Sequence, residues 1–100
     1  MTEFNPNDRI WKVSNPILAE QQLQKHYGKK IKLYRSWLPY KKYAIINPST
    51  GETIHFGHIR YEDYTKHQDE RRKTRFRKRN HKWANAEKFT PAHLSYYILW

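Results

Sequence analysis

Cysteine is absent from this chain of 100 residues, and methionine occurs once and glycine three times. Without cysteine there is no disulfide framework and no thiolate metal site, which suits a reducing compartment. No Gly-rich phosphate loop, nucleophile elbow or paired catalytic-acid motif can be traced. Long apolar runs are missing too, and none approaches the roughly 18–20 residues that span a bilayer. The opening MTEFNPNDRIWK has no apolar core of a signal peptide. The expectation is a soluble protein working inside a cell or inside a particle. Negative charge is the last scarcity: nine Asp and Glu stand against 20 Lys and Arg, for a net charge of +11 and a pI near 10.0.

What is present in quantity is aromatic. Sixteen per cent of residues are Phe, Trp or Tyr, including four Trp and eight Tyr, too many for a disordered chain. Only 37% of the chain is apolar and the mean hydropathy is −1.14, so a single small, aromatic-rich core is expected. A domain of this size is marginally stable alone, and docking on a partner would help it. Its charge selects polyanions: nucleic acid first, an acidic protein surface second, an anionic membrane third.

Residues 1–14 read as an arm, with a turn at Asn5-Pro6-Asn7 and Ile10, Trp11 and Val13 to dock it. Asn15-Pro16 is a cap followed by proline at the first helical position, and Gly28 is a stop. The helix between them, 16–27, places Ala19, Leu23 and Tyr27 on one stripe. Lys30 to Trp37 alternates as a strand, with Ile31, Leu33 and Arg35 on one face. KKYAIIN and ETIHF supply two more strands, joined through Pro48-Ser49-Thr50-Gly51 with Gly51 in the left-handed region. The expected fold class is α+β: a three-stranded antiparallel sheet over 30–57, the short N-terminal helix, a long basic helix over 64–83 and a packed aromatic tail over 90–100. Thr90-Pro91 looks like a second cap ahead of the tail.

The organising stretch is YTKHQDERRKTRFRKRNHKW, from Tyr64 to Trp83. At 100° per residue, Arg71, Arg75, Lys78 and Lys82 form one stripe, flanked by Arg72 and Arg79. Phe76 and Trp83 share a different side with Thr65, Asp69 and Asn80. Asp63 or Thr65 would cap the helix, and acids early with cations late suit its dipole. A helix with one thin apolar seam and one broad cationic face is docked lightly and presents charge.

The block KYAIINPSTGETIHFGHIRYEDYTKHQDERRKTRFRKRN, followed by LSYYILW, resembles a family of uncharacterised small basic proteins encoded by large DNA viruses and some phages. The shared features are an IHFG turn, Y-E-D-Y-T-x-H, D-E-R-R at the start of the basic helix, and a Leu-Ser…Leu-Trp end. The resemblance runs from Lys42 to Trp100 and implies viral origin and a small structural or accessory role. It supplies no activity and no site residues.

Four constellations could carry chemistry. The stripe Arg71, Arg75, Lys78 and Lys82, with Arg72 and Arg79, would track phosphates or an acidic groove; the alternative is a solvated face. Lys29, Lys30, Lys32, Lys41 and Lys42, with Lys25 near them and Tyr34, Trp37 and Tyr40 interleaved, would extend that patch and stack bases, unless these rings are the core. His55, His58 and His67 with nearby carboxylates fit no known metal spacing, and no metal or other cofactor is expected. Tyr61 to Tyr64 reads as a salt-bridge hub, because so short a chain seldom encloses a pocket. The expected function is a non-enzymatic virion component, a minor capsid or genome-associated protein, binding nucleic acid or an acidic neighbouring subunit, and located in the virion and the host-cell interior. The alternative is a sequence-independent nucleic-acid-binding accessory protein outside the particle. A metal-dependent nuclease on His55, His58 and Glu62 comes third.

Overall fold

The computed structural model describes residues 4–100; Met1, Thr2 and Glu3, the first residues of the expected arm, lie outside the described residues. The arm folds back on itself as expected. Asn5 Oδ1 accepts from Asn7 N at 2.9 Å, and Trp11 Nε1 donates to Asn5 O at 3.0 Å. A single helical turn, α1 (Ile10–Val13), then sinks Ile10 completely into the core.

Helix α2 spans Pro16–Tyr27, the predicted bounds. Asn15 accepts from the N–H groups of Ile17 and Leu18, satisfying two of the donors a helix start leaves open. Gly28 ends it at φ +92°, a conformation only glycine adopts without strain. Ala19 and Leu23 are both fully buried in the core, and α2 packs against the C-terminal stretch Ser95–Leu99.

The sheet is a three-stranded antiparallel meander in the order β1 (Tyr34–Arg35), β2 (Lys41–Ile46), β3 (Thr53–His58). Tyr43 opposes Phe56 and Ile45 opposes Ile54, giving the face that receives α2, Ile10 and Leu33. Gly51 closes the hairpin at φ +76°, its N–H donating to Asn47 O at 2.7 Å. The strand expected over Lys30 to Trp37 is shorter than the alternation implies. Ile31 and Leu33 are buried as predicted, but only two residues ladder with β2. The Ser36 hydroxyl accepts from Leu38 N at 3.1 Å and turns the chain out.

The long basic helix is two helices. Asp63 caps α3 (Tyr64–His67), Gln68 takes a left-handed conformation at φ 54°, and Asp69 caps α4 (Glu70–Arg79) afresh. The correction has a local cause. A short carboxylate in front of two N–H groups satisfies a helix start better than it sits inside a helix, and Asp69 accepts from Arg71 N at 2.9 Å and Arg72 N at 3.2 Å. The far end is also short of the expected 83. Asn80 donates its amide to Phe76 O at 3.0 Å, and His81–Asn85 continues as a 3₁₀ turn.

The tail packs inward. Thr90 caps α5 (Pro91–Leu94), which runs into a π-helical turn, Ser95–Leu99. Leu94, Ile98 and Leu99 are buried against the sheet and α2. Tyr27 ties this segment down: its oxygen accepts from Phe89 N at 3.0 Å and shares a hydrogen bond of 2.6 Å with His93 Nδ1. His93 itself is buried. Burial, together with Lys88 and His26 nearby, holds its pKa below the usual histidine value. His26 and His67 are lowered as well, burial being the first cause in each.

Beneath all of this lies a charged pair. Lys42, 2% exposed, donates to Asp63, 0% exposed, at 2.9 Å. The other Asp63 oxygen receives the N–H of Thr65 at 3.0 Å and also its hydroxyl. Thr65 Oγ1 meets Ser14 Oγ at 3.0 Å, and Tyr43 donates to Ser14 Oγ at 2.6 Å. In the β2–β3 register Lys42 stands opposite Gly57. A Cβ at Gly57 would lie 2.9 Å from Leu99 Cδ1 and 3.0 Å from Lys42 Cδ. The missing side chain is what lets Leu99 close over the lysine.

Two outcomes follow. Lys42→Met strands a buried carboxylate and is expected to cost about 3–5 kcal/mol in urea unfolding; a loss under ~1 kcal/mol would show that the pair does not organise this junction. Histidines with folded pKa values below their unfolded value of 6.5 leave the unfolded chain binding more protons. Stability is then full above about pH 6.5 and falls as the pH drops below it. The melting temperature should decline from pH 7 to pH 5, less steeply in His93→Asn, which keeps an acceptor for Tyr27; an unchanged slope would remove His93 from the account.

Candidate nucleic-acid interface

Helix α4 buries none of its ten residues, and seven of them are cations. Three of the seven are engaged. Arg72 pairs with Glu62 at 3.1 Å, Arg77 lies over the Tyr96 ring at 4.4 Å, and Lys73 lies over Tyr64 at 4.4 Å. Arg71, Arg75, Lys78 and Arg79 are exposed, and among the described residues no acid forms an ion pair with them. Lys82 is exposed too, but in the 3₁₀ turn beyond the helix, so it no longer continues the stripe by helical geometry. Asp69, Glu70 and Glu62 gather at the N-terminal end. The Asp69 carboxyl is held below its usual pKa, first by the Arg72 N–H. The interface therefore has a polarity along its axis, acid at its start and free cation at its end.

What holds α4 in place is aromatic. Phe76 stacks on Trp100 with centroids 4.4 Å apart and planes 6° from parallel, and Trp83 meets Phe76 edge-on at 5.9 Å. Phe76 and Trp83 thus meet as the heptad spacing predicted, although the helix stops between them. Trp100 could not have been placed from sequence, because its contact with Phe76 is made only when the tail folds back.

These rings line a groove of ≈ 880 Å³, which the expectation that so short a chain seldom encloses a pocket missed. Lys41, Arg72, Arg75 and Arg79 stand around it with Tyr61 and Glu62; Gly57, Lys42 and Leu99 lie at its sheet side, and Thr90 to Ser95 close it. Its volume is in the range of about 300–1,000 Å³ typical of ligand clefts.

The second patch divides. Lys29, Lys30, Lys32 and Tyr34 are exposed and Lys41 joins the groove, but Lys42 is interior and neutralised by Asp63, so it is not part of any surface patch. Trp37 and Tyr40 are 67% and 57% exposed, so these rings are not the core. The histidines are not brought together. His55 bonds Ser36 Oγ at 2.8 Å beneath Trp37, while His58 Nδ1 accepts from Arg60 N at 3.1 Å beside Tyr40 and Tyr61. His67 Nδ1 accepts from Asp69 N at 2.9 Å. Among the described residues no three His, Cys, Asp or Glu side chains are grouped to hold a metal, and no helix is long and apolar enough to cross a membrane.

The model of a family of unknown function (DUF5754) matches residues 31–80, the stretch from the sheet through α4. No curated protein and no solved structure matches the chain.

Proposed function

The chain belongs to the family of unknown function (DUF5754), and we propose that it is a non-enzymatic nucleic-acid-binding protein that grips the phosphate backbone with α4. One observation carries the reading: Arg71, Arg75, Lys78 and Arg79 are exposed on a single helix that buries nothing, with no acid paired to them among the described residues. Such charge costs self-repulsion that solubility does not demand. A row of phosphates relieves it, releasing counterions as each contact forms. Because guanidinium groups on phosphate read no base edge, the binding is sequence-independent. In the viral setting that the resemblance implies, this protein lies against a packaged genome, at a fixed ratio to the other subunits of purified particles.

The test is a salt titration of duplex DNA binding. Neutralising Arg71, Arg75, Lys78 and Arg79 to Gln should weaken binding and reduce the log–log salt slope by up to about 0.9 per position. An unchanged slope would take α4 out of the contact. Absence of wild-type binding at low salt would assign the helix to an acidic protein surface instead.

A further inference from the structure

The groove beside α4 is built for something other than phosphate. We infer that it receives an unpaired base of single-stranded nucleic acid, whose flanking phosphates lie on Arg75 and Arg79; this rests on α4 being a phosphate-binding surface. Phe76, Trp83 and Trp100 are each half-buried, so ring surface remains open to a cavity of ≈ 880 Å³. Phe76 and Trp100 stack in parallel, Trp83 stands edge-on to Phe76 and His67 is tilted against Trp100, so the groove presents the open parts of several rings to a flat aromatic occupant.

Charge sorts the groove into two zones. Arg72 on its wall is tied to Glu62 at 3.1 Å, which neutralises that cation and leaves a carboxylate edge inside. Paired with Arg72, Glu62 adds no net charge to the groove, and its carboxylate still accepts a hydrogen bond from the exocyclic amino group of a base. Arg75 and Arg79 are exposed and unpaired at the rim, and both belong to α4, whose Arg71 and Lys78 carry the cationic surface on past the cavity. A chain with one base in the groove can thus keep its neighbouring phosphates on the helix. A base inside a duplex is stacked and paired, and cannot enter without being extruded. The occupant that fits both zones is a single strand, and the amino group points to cytosine, adenine or guanine over thymine.

The experiment titrates the full chain with a labelled oligodeoxycytidine and with a duplex of the same length, following anisotropy and tryptophan fluorescence. The single strand should bind more tightly and quench tryptophan. Trp83→Leu should lower single-strand affinity about tenfold, and by more than it lowers duplex affinity. Tyr61→Ala, at a side chain 66% exposed that the fold does not need, should act in the same direction. If both strands bind wild type and neither variant changes single-strand affinity, the base site is overturned while the α4 reading stands. If nothing binds, the α4 reading itself fails. Quenching by cytidine monophosphate with no gain from the oligomer would make this a free-nucleotide site and overturn the single-strand assignment.

Discussion

The buried pair of Lys42 and Asp63 is the constraint on which the rest of the molecule depends. Three segments meet there: β2 through Lys42 and Tyr43, the α1–α2 junction through Ser14, and the start of α3 through Asp63 and Thr65. Burying two ions is expensive, and attraction alone does not recover that cost unless their remaining hydrogen-bonding capacity is filled. Here it is filled on the aspartate side, by Thr65 twice and by the ammonium. Asp63 also caps α3, so the group that neutralises Lys42 is the one that starts the helix. The direction in which the chain leaves the sheet, and with it the position of α4, is set at this carboxylate.

Freedom at α4 is the counterpart of that rigidity. The helix carries too much positive charge to be packed, so the fold holds it by its ends and by one seam. Asp69 fixes its start, Asn80 its finish, and the Phe76 contacts with Trp100 and Trp83 its apolar seam. Arg77 shows how a cation can serve the fold without a carboxylate. It lies flat over Tyr96 and donates to the Tyr96 and Trp100 carbonyls at 3.4 Å, joining the helix to the tail. The remaining cations have no acid paired to them among the described residues because the sequence supplies so few acids, and two of those acids are used as caps.

Whether a feature could be read from sequence followed the range of the interaction that makes it. Helix α2 was legible to the residue, since Asn15, Pro16 and Gly28 act on the backbone beside them. The hairpin at Gly51 and the cap at Thr90 were legible for the same reason, whereas packing of the tail was legible only from its apolar composition. The break at Gln68 was legible in principle: Asp63 and Asp69 are each a cap, and a single long helix leaves the second unexplained. Burial of Lys42 was not legible, because it depends on Gly57 across the ladder, on Leu99 from the tail and on Asp63 from a later loop. The groove depends on Trp100 reaching Phe76, which no local pattern encodes. For the exposed cations of α4, sequence periodicity sufficed, and only Lys82 strayed from the stripe because the helix ended before it.

Stability and binding are coupled by this division of labour. Since α4 contributes no buried residue, the core would lose little if the helix loosened; what opposes its order is repulsion among its own cations. A polyanion on that face would remove the repulsion, and one that bound only the ordered helix would stabilise the segment by mass action. Arg75 and Arg79 make the coupling local. They stand at once on the helix surface and at the groove rim, whose floor is the same Phe76–Trp100 stack that anchors the helix. Anything that fills the groove would therefore brace the contact on which the exposed cations of α4 depend, and anything that neutralised those side chains would tighten the wall of the groove.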